Sequence, residues 1–105
     1  MRVYLDDERQ TPAGWRRTYT PDETIDLLKG GDVGELSLDH DLGDDKTVGT
    51  GYDVLIWIEN EVHINPDFKP PLIYIHSDNP PARDRMKKAR DSIMDYYIRH
   101  NLKGI

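Results

Sequence analysis

The sequence predicts a single α/β domain, residues 1–105, built around a mainly parallel sheet of four strands. Three observations carry this expectation. Short stretches at 2–8, 35–38 and 72–77 have the alternation or the apolar continuity of buried strands, and 15–19 alternates in the same way. The stretches 20–31 and 52–62, and a third beginning at 79, carry helix-start signals and helical periodicity. Strands and helices therefore follow the order β, β, α, β, α, β, α, which right-handed crossovers turn into a parallel sheet.

The elements follow in order. RVYLDDE (2–8) puts Val3 and Leu5 on one face and Tyr4 on the other, and ends in Asp6, Asp7 and Glu8. QTPAG (10–14) is a turn and WRRTY (15–19) a short strand. TPDETIDLLKGG (20–31) has Thr20 as N-cap, Pro21 at the first helical position, Glu23 as capping-box partner, and Gly30 and Gly31 as the stop. Residues 35–38 form the third strand. GDDKTVGTG (43–51) is a polar, Gly-rich loop, and Thr50 with Asp53 makes a second capping pair. YDVLIWIENEV (52–62) is apolar on most faces of its first turns, so it packs against a sheet. NPDFKPP (65–71) is a loop. LIYIHS (72–77), the most apolar strand, is expected at the centre of the sheet. Asn79 and Pro80 open a long helix to about Asn101, whose Met86, Ala89, Ile93, Met94 and Tyr97 define a core stripe.

Hydrophobic residues make up 36% and charged residues 32%, polar for a globular chain, yet the apolar runs argue against disorder. The absence of cysteine excludes disulfides and thiolate metal sites. No run approaches transmembrane length, and the sequence begins on a strand-like segment and not on a basic leader, so the expectation is a cytoplasmic protein without membrane association. The net charge of −6 is unevenly placed: residues 1–75 carry 16 acidic and 7 basic side chains, residues 76–105 carry 4 and 7. The molecule as a whole does not attract an anion. An anion can still be held between an acidic, cation-loaded pocket and the basic C-terminal helix.

Three strands end in polar clusters: Asp6-Asp7, Asp39-His40-Asp41 and His76-Ser77. In an open parallel sheet these are all C-terminal strand ends, where such folds bind ligands. Carboxylates brought within a few ångströms of one another take up protons or a cation. Oxygen-rich, cysteine-free ligation suits Mg²⁺ or Mn²⁺, and nearby histidine leaves Mn²⁺, Fe²⁺ or Zn²⁺ as second choices. Several groups have plainer readings. Asp44 and Asp45 solvate a loop, Asp53 caps a helix, and His63 and His100 lie on the surface. His76 is either a satisfied core histidine or a functional group. Arg83, Arg85, Lys87 and Lys88 are either the wet face of a helix or, with its free N-terminal amides, an anion site.

These residues carry a resemblance. VYLDDE resembles the first strand and acidic pair of the receiver domains of two-component response regulators. LSLDHDLG followed by GYDVLIWI resembles their phosphoacceptor strand, loop and following helix, and PPLIYIHS their fourth strand. The resemblance runs from residue 1 to about residue 90. It implies a flavodoxin-like three-layer sandwich with a truncated, mainly parallel four-stranded sheet. It also implies Asp6 and Asp7 as the metal-binding acidic pair, Asp39 at the phosphoacceptor position, and Asp41 where a backbone carbonyl completes the metal shell. The departures are equally specific. Only seven residues separate Glu8 from Arg16, too few for the usual first helix. His76, followed by Ser77, stands where receivers carry a switch Thr or Ser. No fifth strand or fifth helix follows, and Lys103 lacks the context of the phosphate-positioning lysine. DDER, LDHDLG, GTGYD and HSDNP are similar to a receiver-like group named for cyclic-phosphate processing and linked to RNA-end repair.

The resemblance implies a metal-dependent phosphoesterase or phosphate-binding domain acting on a cyclic phosphate, such as a 2′,3′-cyclic RNA end. Asp7, Asp39 and Asp41 would hold the ion, with Asp6 through water. His40 and His76 would share the proton transfers of in-line ring opening. Ser77, Asn79 and Arg83 would contact the phosphate. The nucleophile, water or the Asp39 carboxylate, stays open. The rivals are a degenerate receiver that accepts a phosphoryl group or binds a phosphorylated partner, a binder of cyclic nucleotides without turnover, and a structural adaptor with an acidic rim. An open sheet edge would offer a homodimer contact.

Overall fold

A computed structural model describes residues 1–44 and 46–102; Asp45 and Lys103, both assigned above, lie outside the described residues. The strands β1 (Arg2–Leu5), β2 (Arg16–Thr18), β3 (Glu35–Leu38) and β4 (Leu72–Ile75) and the helices α1 (Pro21–Lys29), α2 (Gly51–Ile64) and α3 (Pro80–Leu102) follow the expected order. All strand pairs are parallel, in the sheet order β2-β1-β3-β4. This is the flavodoxin-like arrangement, and the chain reverses its direction of growth across the sheet between β1 and β3.

Alternation along the strands gives the sheet two unlike faces. Val3, Leu5, Leu36, Leu38 and Ile73 point one way and are buried in one cluster with Leu28 of α1, Val54, Leu55 and Ile58 of α2, and Met86 and Ile93 of α3. All three helices thus cover the same face. Burying each of these large side chains contributes about 1.5–3 kcal/mol. The opposite face carries Arg2, Tyr4, Glu35, Ser37, Leu72 and Tyr74. Its third layer is reduced to the β1–β2 connection, from which Trp15 packs edge-on against both Tyr4 and Tyr74. The short connection from Glu8 to Arg16 has no room for a helix there, as its length implied.

The apolar β4 is an edge strand, not the central one expected. Its Ile73 faces the core, but Leu72 is 54% and Tyr74 43% exposed. High apolar content here reflects an aliphatic core row plus a partly open second row, and no described residue pairs beyond it. The strands are also shorter than the apolar runs. β1 stops at Leu5 because the Asp6 carboxylate turns the chain, its Oδ1 accepting from the amides of Glu8 (2.8 Å) and Arg9 (2.9 Å).

The helix punctuation is mostly as read. Thr20 Oγ1 accepts from Glu23 N at 3.2 Å, but the Glu23 carboxylate returns to the Thr20 hydroxyl and not to its amide. Gly31 takes the left-handed conformation that ends α1, at φ 78°. At α2 the capping box is complete: Asp53 Oδ2 accepts from Thr50 N at 3.0 Å, so Asp53 is a cap. In α3, Met86 and Ile93 are buried and Ala89 packs against the core, with buried Ala82 one turn earlier. Among the described residues no helix is long and apolar enough to cross a membrane.

Candidate functional site

The register of the sheet assembles the site. Leu5, Leu38 and Ile75 are neighbours in one row across β1, β3 and β4. The next residue of each strand is Asp6, Asp39 and His76. The amides of Asp39 and His76 still donate across, to Leu5 O and Leu38 O, both at 3.0 Å. Adjacent strands lie about 4.7–4.9 Å apart, so this extra row places the two carboxylates and the imidazole side by side. One ligand atom from each of Asp6, Asp39 and His76 lies within 4.8 Å of the others. The convergence expected from clusters more than thirty residues apart is therefore present.

Asp6 is 1% exposed. Its Oδ2 meets His76 Nε2 at 3.0 Å, with Arg9 Nε more distant at 3.9 Å. Burial pushes the Asp6 carboxyl up, but the Arg9 and Glu8 amides and the His76 imidazole outweigh it, and its pKa falls below the ordinary value. His76 is held on three sides. Its Nδ1 lies 2.7 Å from Ser37 Oγ, its Nε2 faces Asp6, and its ring stacks on Tyr4 at 4.2 Å with 3° between the planes. Burial lowers the His76 pKa, Asp6 offsetting this only in part, so the ring is neutral at pH 7. An ionised carboxylate only accepts. Nε2 therefore carries the single ring hydrogen toward Asp6, and Nδ1 accepts from the Ser37 hydroxyl.

Asp39 accepts from His40 N at 2.9 Å. Burial first, and then the neighbouring Asp6 charge, push its pKa up to about 6. The loop after it is anchored between buried Leu38 and Leu42, and pinned by an isolated antiparallel bridge between Asp41 and Thr50. Gly51 lets α2 begin directly against this turn, because a Cβ there would lie 1.8 Å from the Asp39 carbonyl oxygen. Gly51 N also donates to His40 O at 3.2 Å. His40 Nδ1 lies 2.8 Å from Asp41 Oδ1.

A cleft of about 390 Å³ opens at Asp39, the one member of the row among its lining residues Asp7, Glu8, Asp39, Asp41, Gly43 and Asp78. Asp7 and Asp41, expected as ligands, thus flank the row at the cleft wall, while Asp6, expected to act through water, lies in the row itself. Both ring nitrogens of His76 are engaged, which leaves the proton role expected for it without a free nitrogen. Ser77 is buried, and its hydroxyl accepts from Asn79 N at 3.1 Å. Asn79 Oδ1 accepts from Ala82 N at 3.3 Å, and so caps α3. Arg83 follows in the first turn of α3 and makes no ion pair among the described residues.

Sequence reasoning missed four residues here: Ser37, Tyr4, Arg9 and Asp78. The signal for Ser37 was a lone hydroxyl in Glu-Leu-Ser-Leu, on the face opposite the leucines and in the same register as Tyr4. Arg9 pairs with Asp78, a residue of the cleft lining, joining the β1 and β4 loops; an isolated arginine after an acidic run gave no such indication. His63 and His100, read as surface residues, are exposed and stack on either side of Tyr96 at the far end of α2 and α3, each ring centroid 3.8 Å from it.

The donor set fits a divalent ion: two carboxylates, one of them at a raised pKa, and one imidazole, with further carboxylates on the cleft wall. Neither a curated protein nor a solved structure gives a significant match to the chain. The sequence profile of the cyclic-phosphate processing receiver domain matches residues 1–92, which include every residue of the row and its cleft. With the sheet order, the acidic strand ends and this match in agreement, the chain belongs to the cyclic-phosphate processing receiver domain family.

Proposed function

We propose that the protein is a metal-dependent phosphoesterase that opens a cyclic phosphate, such as the 2′,3′-cyclic end of an RNA, with Mg²⁺ or Mn²⁺ held at the row of strand ends. The observation that carries this reading is the in-register placement of Asp6, Asp39 and His76 in a chain of this family. Asp6 Oδ2 and Asp39 would hold the ion, with Asp7 and Asp41 on the cleft wall. The bound ion supplies polarisation of a phosphoryl oxygen and a lowered pKa for water. The residues of the chain do the rest. Asp41 takes the Nδ1–H of His40, which leaves His40 Nε2 as a lone-pair acceptor for the proton of the attacking water. Attack forms one P–O bond and one ribose P–O bond breaks; the ribose oxygen takes its proton from solvent water and the proton held by His40 returns to solvent, giving a phosphate monoester. Arg9, whose Nε lies 3.9 Å from Asp6 Oδ2, would be a cation for the anionic substrate once freed from Asp78, and Asn79 and Arg83 stand at the start of α3. General acid–base catalysis by histidine is worth about 10²–10⁴-fold.

The test is incubation of the purified protein with an oligonucleotide ending in a 2′,3′-cyclic phosphate, with Mg²⁺ or Mn²⁺. The expected result is a monoester product, lost on chelation and in Asp39→Asn, and reduced about 10²-fold or more in His40→Ala. Unchanged substrate with every metal, from protein verified as folded, overturns the reading. A second reading draws on the position of Asp39 at the end of the strand that resembles the phosphoacceptor strand. There the domain would be a signalling module, labelled by acetyl phosphate in the native protein and not in Asp39→Asn.

A further inference from the structure

We infer that His76 is itself a metal ligand through Nε2, that Ser37 and Tyr4 are the residues that position it, and that the site therefore selects a nitrogen-binding divalent ion over Mg²⁺. This rests on the reading of the strand-end row as a cation site and narrows which cation it takes.

Three observations support it. The first is spacing. Asp6 Oδ2 and His76 Nε2 are 3.0 Å apart. Two ligands each at about 2.1 Å from one ion stand about 3.0 Å apart in octahedral and about 3.4 Å apart in tetrahedral coordination, so this pair needs a few tenths of an ångström of movement at most. The hydrogen of the Asp6–His76 bond thus occupies the gap between a ready-made ligand pair, and Asp39 completes a triad within 4.8 Å.

The second is the partner of the other nitrogen. With no ion, Nε2–H donates to Asp6 and Nδ1 accepts from Ser37 Oγ, 2.7 Å away. For Nε2 to ligate, the ring hydrogen must move to Nδ1. A hydroxyl both donates and accepts, so Ser37 serves the two tautomers equally by rotating its own hydrogen. A backbone carbonyl or a carboxylate in that place would serve only the second tautomer, and an amide N–H only the first. The imidazole keeps one hydrogen throughout, and ligation requires no net loss of a proton from the ring.

The third is rigidity. Ser37 is 6% and Tyr4 8% exposed, and the Tyr4 ring lies flat on the imidazole. Position and ring plane are therefore fixed before any ion arrives, as partners behind a metal ligand generally fix it. Imidazole favours the Fe²⁺ to Zn²⁺ end of the divalent series, whereas Mg²⁺ prefers oxygen.

The experiment follows His76 directly. Protein labelled with ¹⁵N is titrated with Zn²⁺, and separately with Mg²⁺, while long-range ¹H–¹⁵N spectra report the tautomer of the His76 ring. Calorimetry gives the affinities of the native protein, His76→Gln, Ser37→Ala and Ser37→Thr, each verified as folded by circular dichroism. The expected result is an Nε2–H ring without metal and an Nδ1–H ring with metal-shifted Nε2 in Zn²⁺. Zn²⁺ affinity should fall on the order of 10–100-fold in Ser37→Ala and return in Ser37→Thr, while Mg²⁺ affinity changes little. His76→Gln should lose at least as much for Zn²⁺. Zn²⁺ bound with the Nε2–H tautomer retained, and with equal affinity in all four proteins, overturns His76 as ligand but leaves a carboxylate site standing. Absence of binding by either ion to the native protein overturns both the inference and the metal reading beneath it.

Discussion

The two faces of the sheet use the same four strands to opposite ends. On the helical face Val3, Leu5, Leu36, Leu38 and Ile73 meet three helices and form an unbroken apolar layer. On the other face Tyr4, Ser37 and Tyr74 alternate with them, and the chain lays Trp15 across Tyr4 and Tyr74. The first face would serve any protein of this architecture. The second is where polar groups can be placed one residue apart from the core without being drowned in it, and it is from this side that Tyr4 and Ser37 hold His76 against Asp6. The difference teaches that stability and site geometry are separately encoded, on alternate residues of the same strands.

Substitutions can break that separation or sharpen it. The largest effect is expected from Leu36→Ala on the helical face, about 2–5 kcal/mol of stability, measured by urea unfolding. The folded fraction should still show a rise in melting temperature with Mn²⁺, since an ion bound only to the native state stabilises it. Loss of that rise would tie the two faces together. Gly51→Ala comes next. Its Cβ collides with the Asp39 carbonyl, at a cost of about 1–3 kcal/mol for overpacking. Unlike Leu36→Ala, it should also abolish the Mn²⁺-dependent rise, because the clash falls on the backbone of Asp39 itself.

A third difference depends on pH. The Asp39 pKa is raised in the folded protein from 3.8 to about 6. Between these values the folded state binds more protons than the unfolded state, so this group's contribution to stability falls as pH rises through the window. Relative to Asp39→Asn, the metal-free native protein should be more stable near pH 4 than near pH 7, and saturating Mn²⁺ at pH 7 should reverse the loss. Melting temperatures of both proteins across this range check the sign. The smallest stability effect is expected from Tyr4→Leu on the face opposite the helices, about 0.5–1.5 kcal/mol beyond the change in buried area. Its Mn²⁺ affinity should nevertheless drop on the order of 10-fold. A stability loss as large as that of Leu36→Ala, with affinity intact, would refute the division between the faces.

Much of this was legible in the chain, for reasons that differ by element. Thr20-Pro21 and Thr50-Asp53 mark helix starts because capping is local chemistry within four residues. The acidic ends of β1 and β3 could be assigned to one rim because parallel strands share a direction. The position of β4 at the edge was not legible, since apolar content does not tell a strand covered on both sides from one with Leu72 and Tyr74 half open. Nor were the contacts of His76. Ser37 is 39 residues away and Asp6 is 70 residues away, and only the register of Leu5, Leu38 and Ile75 brings the three together. Register is decided by packing of the helical face, so the site is set by residues that take no part in it. Arg9–Asp78 is missed for a similar reason, as it joins two loops whose distance depends on β1 and β4 flanking β3.

The most direct test of the strand-end row is a crystal grown in Mn²⁺ and examined for anomalous scattering. The account expects a peak within bonding distance, about 2.0–2.3 Å, of Asp6 Oδ2, an Asp39 carboxylate oxygen and His76 Nε2. Density confined to the outer carboxylates of the cleft, or no peak at saturating Mn²⁺, would contradict it.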